Sequence, residues 1–219
     1  MRFLTLKSPF LLFAILLTIL TSPFNHLMNF EWATLALGFV WASLIGYGGY
    51  RISGSRNWLF IYFSAIAFVF IVVGIEILSP PHISIIFLKN LGIIFIQACT
   101  LYVALRYALS TNGNALDRTI SGVSGYFLLG MIWSNIFVLI QCTDAYAFQS
   151  AQPNELINNV DLLYFSMVNL TTLGYGDIVP INDFARIVAT LESAFGTLYL
   201  AVMVATLVSE LRVSKSRQN

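Results

Sequence analysis

An all-α integral membrane protein is the fold class this sequence predicts. About six membrane-crossing helices are expected, with a re-entrant short helix and loop between the fifth and sixth. Three observations carry the prediction. The 219 residues are 58% hydrophobic and only 10% charged, with mean hydropathy +0.81, a surface that no soluble domain of this size could keep in water. The apolar residues fall in runs near or above the ~20 residues that a bilayer crossing needs. Near the C-terminal end, a glycine-bearing heptad, Thr171-Thr172-Leu173-Gly174-Tyr175-Gly176-Asp177, sits between apolar spans. Helices are expected throughout, because an open strand would leave unpaired backbone groups in lipid.

The first apolar run, Pro9 to Leu20, follows Arg2 and Lys7. Basic residues ahead of a short apolar stretch read either as a signal peptide or as a retained first span. The retained span is preferred, because Thr-Ser-Pro-Phe-Asn follows where a small-x-small cleavage site would stand. Trp32 to Tyr50 makes the second span and Trp58 to Leu78 the third, joined by the basic loop Arg51 to Arg56. Ser79-Pro80-Pro81 halts the third helix and opens the fourth, Ile83 to about Leu109. Ile120 to Gln141 is the fifth span and Asp183 to about Leu211 the sixth. The chain so divides into a four-span membrane domain (1–110), a linker (111–119), a C-terminal module (120–211) and a basic tail (212–219).

Lys and Arg in short loops set orientation. Arg2, Lys7, Arg51, Arg56, Arg106, Arg118, Arg212, Lys215 and Arg217 fall consistently on one side, which puts both termini in the cytoplasm. The heptad opens to the other side, where Asp144, Glu155, Asp161, Asp177 and Asp183 collect. Carboxylates at a mouth would raise the local cation concentration, although each also reads as part of a solvated loop. Net charge +1 offers nothing to nucleic acid. Cys99 and Cys142 form no metal or redox spacing and are expected to be buried and inert.

The heptad carries the chemistry. Its glycines permit backbone conformations that a Cβ would penalise, and such a run can aim successive carbonyls at a bare cation. It resembles the selectivity filter of potassium channels, with Leu173 in a place usually held by valine. The preceding stretch, Asp161 to Leu170, suits a short pore helix capped by Asn158, Asn159 or Asp161, its carbonyl end aimed at the cavity. The resemblance implies ion ligation by Thr172, Leu173, Gly174 and Tyr175, with Gly176 turning the chain outward. It also implies potassium as the permeant ion, no cofactor, and four copies around one axis. Residues 120–211 would be the pore domain and 1–110 a degenerate sensor-like domain of unassigned role.

Thr171, Asp177, Tyr164 and Phe165 are the expected filter supports. Tyr164 and Phe165 stand where the family often has two aromatics, and the Tyr164 hydroxyl could reach Asp177 as an indole does in relatives. Val168 holds a place where some bacterial relatives carry a glutamate. Gly196 matches by spacing the glycine at which the family's inner helices bend, or is a packing site. Glu192 lies one turn earlier in an apolar helix, where an unpaired carboxylate is costly. It would face Ser166 or Asn169, or hold a proton, and serve as an anchor or in gating.

The fourth span lacks the regular basic array of a voltage sensor: Lys89 and Arg106 stand at its two ends, and Glu76 could pair with Lys89. The sequence thus favours a potassium-selective channel in a cell membrane, and no enzyme is expected, because His26 and His82 lie in separate outer loops with no nucleophile-base arrangement. A bacterial inner membrane is the expected location. The alternatives are an accessory or scaffold subunit that keeps the pore fold, and a weakly selective cation channel. A separate regulatory subunit stays open.

Overall fold

A computed structural model describes residues 7–27, 31–78, 82–110, 114–151 and 157–216. Expectations attached to Arg2, Ser79 to Pro81, Asn112, Gly113, Glu155 and Arg217 lie outside these residues, as do those on the side chains of His26, Arg56, Arg212 and Lys215.

Among the described residues, seven helices and two very short strands follow in order: α1 (Pro9–Leu27), α2 (Glu31–Ser53), α3 (Arg56–Leu78), α4 (Ile83–Ala108), α5 (Ala115–Thr143), β1 (Phe148–Ser150), α6 (Asn159–Leu170), β2 (Ile178–Pro180) and α7 (Asp183–Ser216). The all-α membrane architecture is therefore present. Among the described residues, four helices are long and apolar enough to cross a bilayer: α3 from Asn57, α4, α5 and α7 to Thr206. The apolar stretch Pro9–Pro23 of α1 is shorter.

Two expected boundaries move. α5 starts at Ala115, so the segment expected as a linker, 111–119, ends in a helical turn. Asn114 causes this by capping the helix, its side chain accepting from the Leu116 amide at 3.1 Å. α7 continues past Leu211 to Ser216, so the expected tail, 212–219, begins as helix. Arg212-Val213-Ser214-Lys215 holds no breaker, and cations suit a helix C-terminus.

Two buried clusters hold the fold. One joins α1 to α5 through Leu11, Ile15, Trp58, Tyr62, Ala104 and Leu128. The other joins α5, β1, α6 and α7 through Phe137, Phe148, Leu162, Phe165 and Val188. Small residues let the helices of the first cluster approach, as at Gly46 and Gly49 of α2, which lie against the rings of Tyr62 and Trp58.

At the end of the molecule where α4 meets α5, Asp117 is buried. Its carboxylate accepts from the Lys7 amide at 3.0 Å, the Ser8 amide at 2.7 Å and the Tyr107 hydroxyl at 2.8 Å. The start of α1 is thus capped by a residue of α5. Arg118, expected as a loop cation, is buried instead. Its guanidinium donates to the Ala108 carbonyl at 3.0 Å, at the C-terminal end of α4, where a cation is favoured.

Candidate functional site: the loop after α6

α6 is short because both its ends are chemically defined. At its start Asn158 and Asp161 form a capping box: the Asn158 side chain accepts from the Val160 and Asp161 amides, and the Asp161 carboxylate accepts from the Asn158 amide at 2.8 Å. Asp161 is therefore a cap before it is a mouth acid. Phe165 packs edge-on against Phe137 at 5.1 Å and Phe148 at 5.5 Å, tying α6 to α5 and β1. Val168 is buried in the same face.

At its end the Thr172 amide donates to the Asn169 carbonyl and the Leu173 amide to the Val168 carbonyl, both at 2.9 Å. These are the paired bonds of a helix C-terminus closed by one left-handed residue, a place usually held by glycine. Here it is Thr172, with φ 58°. A β-branched residue at positive φ is a strained conformation that surrounding structure must hold. Gly174 at φ 58° and Gly176 at φ 78° share the left-handed region, so every second residue from 172 to 176 lies there. Both glycines have open space around the missing Cβ, so only the backbone conformation requires them.

Residues 171–177 are all exposed. Thr171 folds back onto the helix, its hydroxyl donating to the Met167 carbonyl at 2.8 Å. Tyr164 donates to the Asp177 carboxylate at 2.6 Å, the contact suggested by phenol standing in for indole. The Asp177 carbonyl accepts from the Ala151 amide at 2.7 Å, and β1 pairs with β2 antiparallel, Gln149 opposite Val179. Asp144 accepts from the Asn182 side chain at 2.8 Å, so this acid joins the end of α5 to the start of α7.

Behind α6, Glu192 of α7 is fully buried. Asn169 donates from Nδ2 to its Oε2 at 2.7 Å and to the Ala189 carbonyl at 2.6 Å. Ser166 Oγ lies 2.5 Å from Glu192 Oε1 and 2.7 Å from the Gly130 carbonyl. A hydroxyl has one proton to give. If it serves the carbonyl, the contact with Glu192 needs a proton on the carboxyl. Ser193 completes the cluster by donating to Asn169 Oδ1 at 2.9 Å.

Gly196 is a close-approach site: a Cβ there would collide with the Leu170 carbonyl, which also accepts from the Tyr126 hydroxyl at 3.0 Å. The C-terminal end of α6 is thus held between α5 and α7. The two three-residue strands, the Tyr126 clamp and the Asp144 to Asn182 link were not legible in the sequence, although Pro180 on a two-stranded edge is compatible with its missing donor.

A family model described as an ion channel matches residues 125–213, from the middle of α5 to near the end of α7. Over this segment the chain is similar to ion channels. The chain is similar to the potassium voltage-gated channel protein shk-1 of Caenorhabditis elegans, 26% identical over 105 residues, covering 48% of this chain and 20% of that one. It is similar to the calcium-gated potassium channel TvoK of Thermoplasma volcanium, 32% identical over 75 residues, covering 32% and 22%. It is also similar to the inward rectifier potassium channel Kirbac3.1 of Paramagnetospirillum magnetotacticum, 31% identical over 74 residues, covering 34% and 24%. The chain spans only a small part of the length of these relatives. No solved structure matches the chain.

Proposed function

We propose that the protein is a potassium-selective channel that conducts passively through a pore closed by four copies of this chain. One observation carries the reading: the left-handed φ at 172, 174 and 176 in an exposed segment anchored at both ends. A strand with uniform dihedrals points successive carbonyls to opposite sides, whereas regular alternation of hand can turn them to one side. Oxygens of Thr172, Leu173, Gly174 and Tyr175 would then replace the water shell of potassium, with Gly176 leading the chain outward. Thr171, Asp177, Tyr164 and Phe165 hold this stretch, and α6 re-enters the membrane with its negative end toward the cavity.

A single chain offers one wall of such a site. Leu173 and Tyr175 are 56% and 66% exposed, and Phe184, Ile187, Leu191, Phe195, Leu198 and Val202 form an exposed apolar stripe along α7 at spacings of three and four. Neighbouring copies would cover both. The N-terminal helices, residues 1–110, would surround this pore without sensing voltage steeply. Lys89 there is already paired, its amine 2.8 Å from both Glu76 oxygens. Both termini would be cytoplasmic, in a bacterial inner membrane.

The test is the reversal potential of the purified protein in planar bilayers with unequal potassium and sodium. It should follow the potassium gradient, and open probability should change only weakly with voltage. A reversal potential that ignores potassium would reject selectivity, and the absence of any current would favour the accessory-subunit reading.

A further inference from the structure

A groove of about 890 Å³ runs between α3 and α4, beginning at the end where the α2–α3 connection meets the last turn of α4. Its rim is polar, with Ser55, Asn57 and Arg106. Its floor is apolar, with Trp58, Ile61 and Phe95. Among the described residues no acid lines it and no carboxylate pairs with Arg106. Lys89, at the other end of α4, does have its carboxylate.

The dimensions agree with one leaflet. From Arg106 to Phe95 along α4 is 11 residues, which at the helical rise is about 16 Å. Half the hydrocarbon thickness of a bilayer is about 15 Å. A guanidinium at the membrane edge above an apolar trough one leaflet deep matches a phosphate above an acyl chain.

We propose that this groove binds an anionic phospholipid of the leaflet that the loop charges assign to the cytoplasm. Its headgroup phosphate is held by Arg106, with Asn57 and Ser55 beside it, and one acyl chain lies along Trp58, Ile61 and Phe95. A zwitterionic lipid fits the trough equally well but leaves the extra negative charge, which the acid-free rim favours, unsupplied. The site lies wholly in the N-terminal helices, outside the matched segment, and does not depend on the filter.

Trp58 on the floor supplies the probe. Full-length protein with Trp58 as its sole tryptophan (Trp32, Trp41 and Trp133 changed to Phe) is reconstituted in phosphatidylcholine vesicles. Brominated phosphatidylglycerol or brominated phosphatidylcholine is added at equal mole fractions and quenching is followed. The anionic lipid should quench at the lower mole fraction. Arg106→Gln should cut that preference about five-fold, as expected for one cation near the surface. Arg106→Lys should retain most of it. Arg51→Gln, at the end of α2 but off the groove lining, should leave it unchanged. Equal quenching by the two lipids, or a preference that survives Arg106→Gln, overturns the proposal. Absence of quenching by either lipid also overturns it, because the groove would then be filled by protein, such as a neighbouring copy.

Discussion

Replacing Glu192 tests the buried cluster behind α6. Its two oxygens touch Ser166 and Asn169, and no cation accompanies them in the contacts described. Glu192→Gln keeps the shape, presents an N–H to Ser166 and an oxygen to Asn169, and leaves Ser166 free to serve the Gly130 carbonyl. Stability should change by less than about 1 kcal/mol. Glu192→Ala removes both contacts at about 1 kcal/mol each. It also leaves a cavity worth about 1 to 2 kcal/mol more. Neither partner is orphaned, since Asn169 keeps the Ala189 carbonyl and Ser166 the Gly130 carbonyl, so the loss should stop at about 3 to 4 kcal/mol. The assay is the midpoint of unfolding in mixed micelles as SDS is titrated, read beside potassium flux from vesicles. A Gln variant as unstable as the Ala variant would refute the proton accounting, because it would mean that the negative charge itself is used.

Gly176→Ala should abolish conduction without unfolding the protein: the new Cβ meets nothing within 4 Å in the chain, so the cost is the left-handed backbone alone, about 1 to 2 kcal/mol. Potassium currents of normal size from that variant would remove the filter assignment. Tyr164→Phe deletes the 2.6 Å bond to Asp177 and should shorten the time the filter stays conductive, read as lower steady-state open probability with an unchanged unfolding midpoint. Asp117→Ala strips the acceptor from two amides and a phenol, which should cost about 3 kcal/mol or more; Asp117→Asn should recover part of it, and protease sensitivity near α1 should report the release.

What the sequence disclosed, and what it did not, divides by distance along the chain. The cap of α6 is written within four residues, Asn158 to Asp161, and could be read directly. Tyr164 and Asp177 sit on either side of a recognisable run, and Glu76 and Lys89 flank one connection, so their pairing was also accessible. Glu192 announced itself by being an acid in an apolar helix. The start of α5 was missed because Asp117 and Arg118 look like loop charges until their partners, more than 100 residues away for Ser8, are in view. The strands were missed because three residues are too few for an alternating pattern to register. The left-handed turn at Thr172 was hidden for a different reason: its residue type argues against it.

The capping of α1 by Asp117 sets a timetable. Ser8 and Asp117 are 109 residues apart, and at ~5–20 residues per second the ribosome needs about 5 to 20 s to cover that distance. During that interval α1 has no partner on α5, although α2, whose Gly48 lies against Leu11, is already made. An early helix carrying its own buried carboxylate would find such a wait costly. Here the charged half of the contact arrives late, on α5, and the early half is only two backbone amides at the helix tip, where water can tend them until the carboxylate comes.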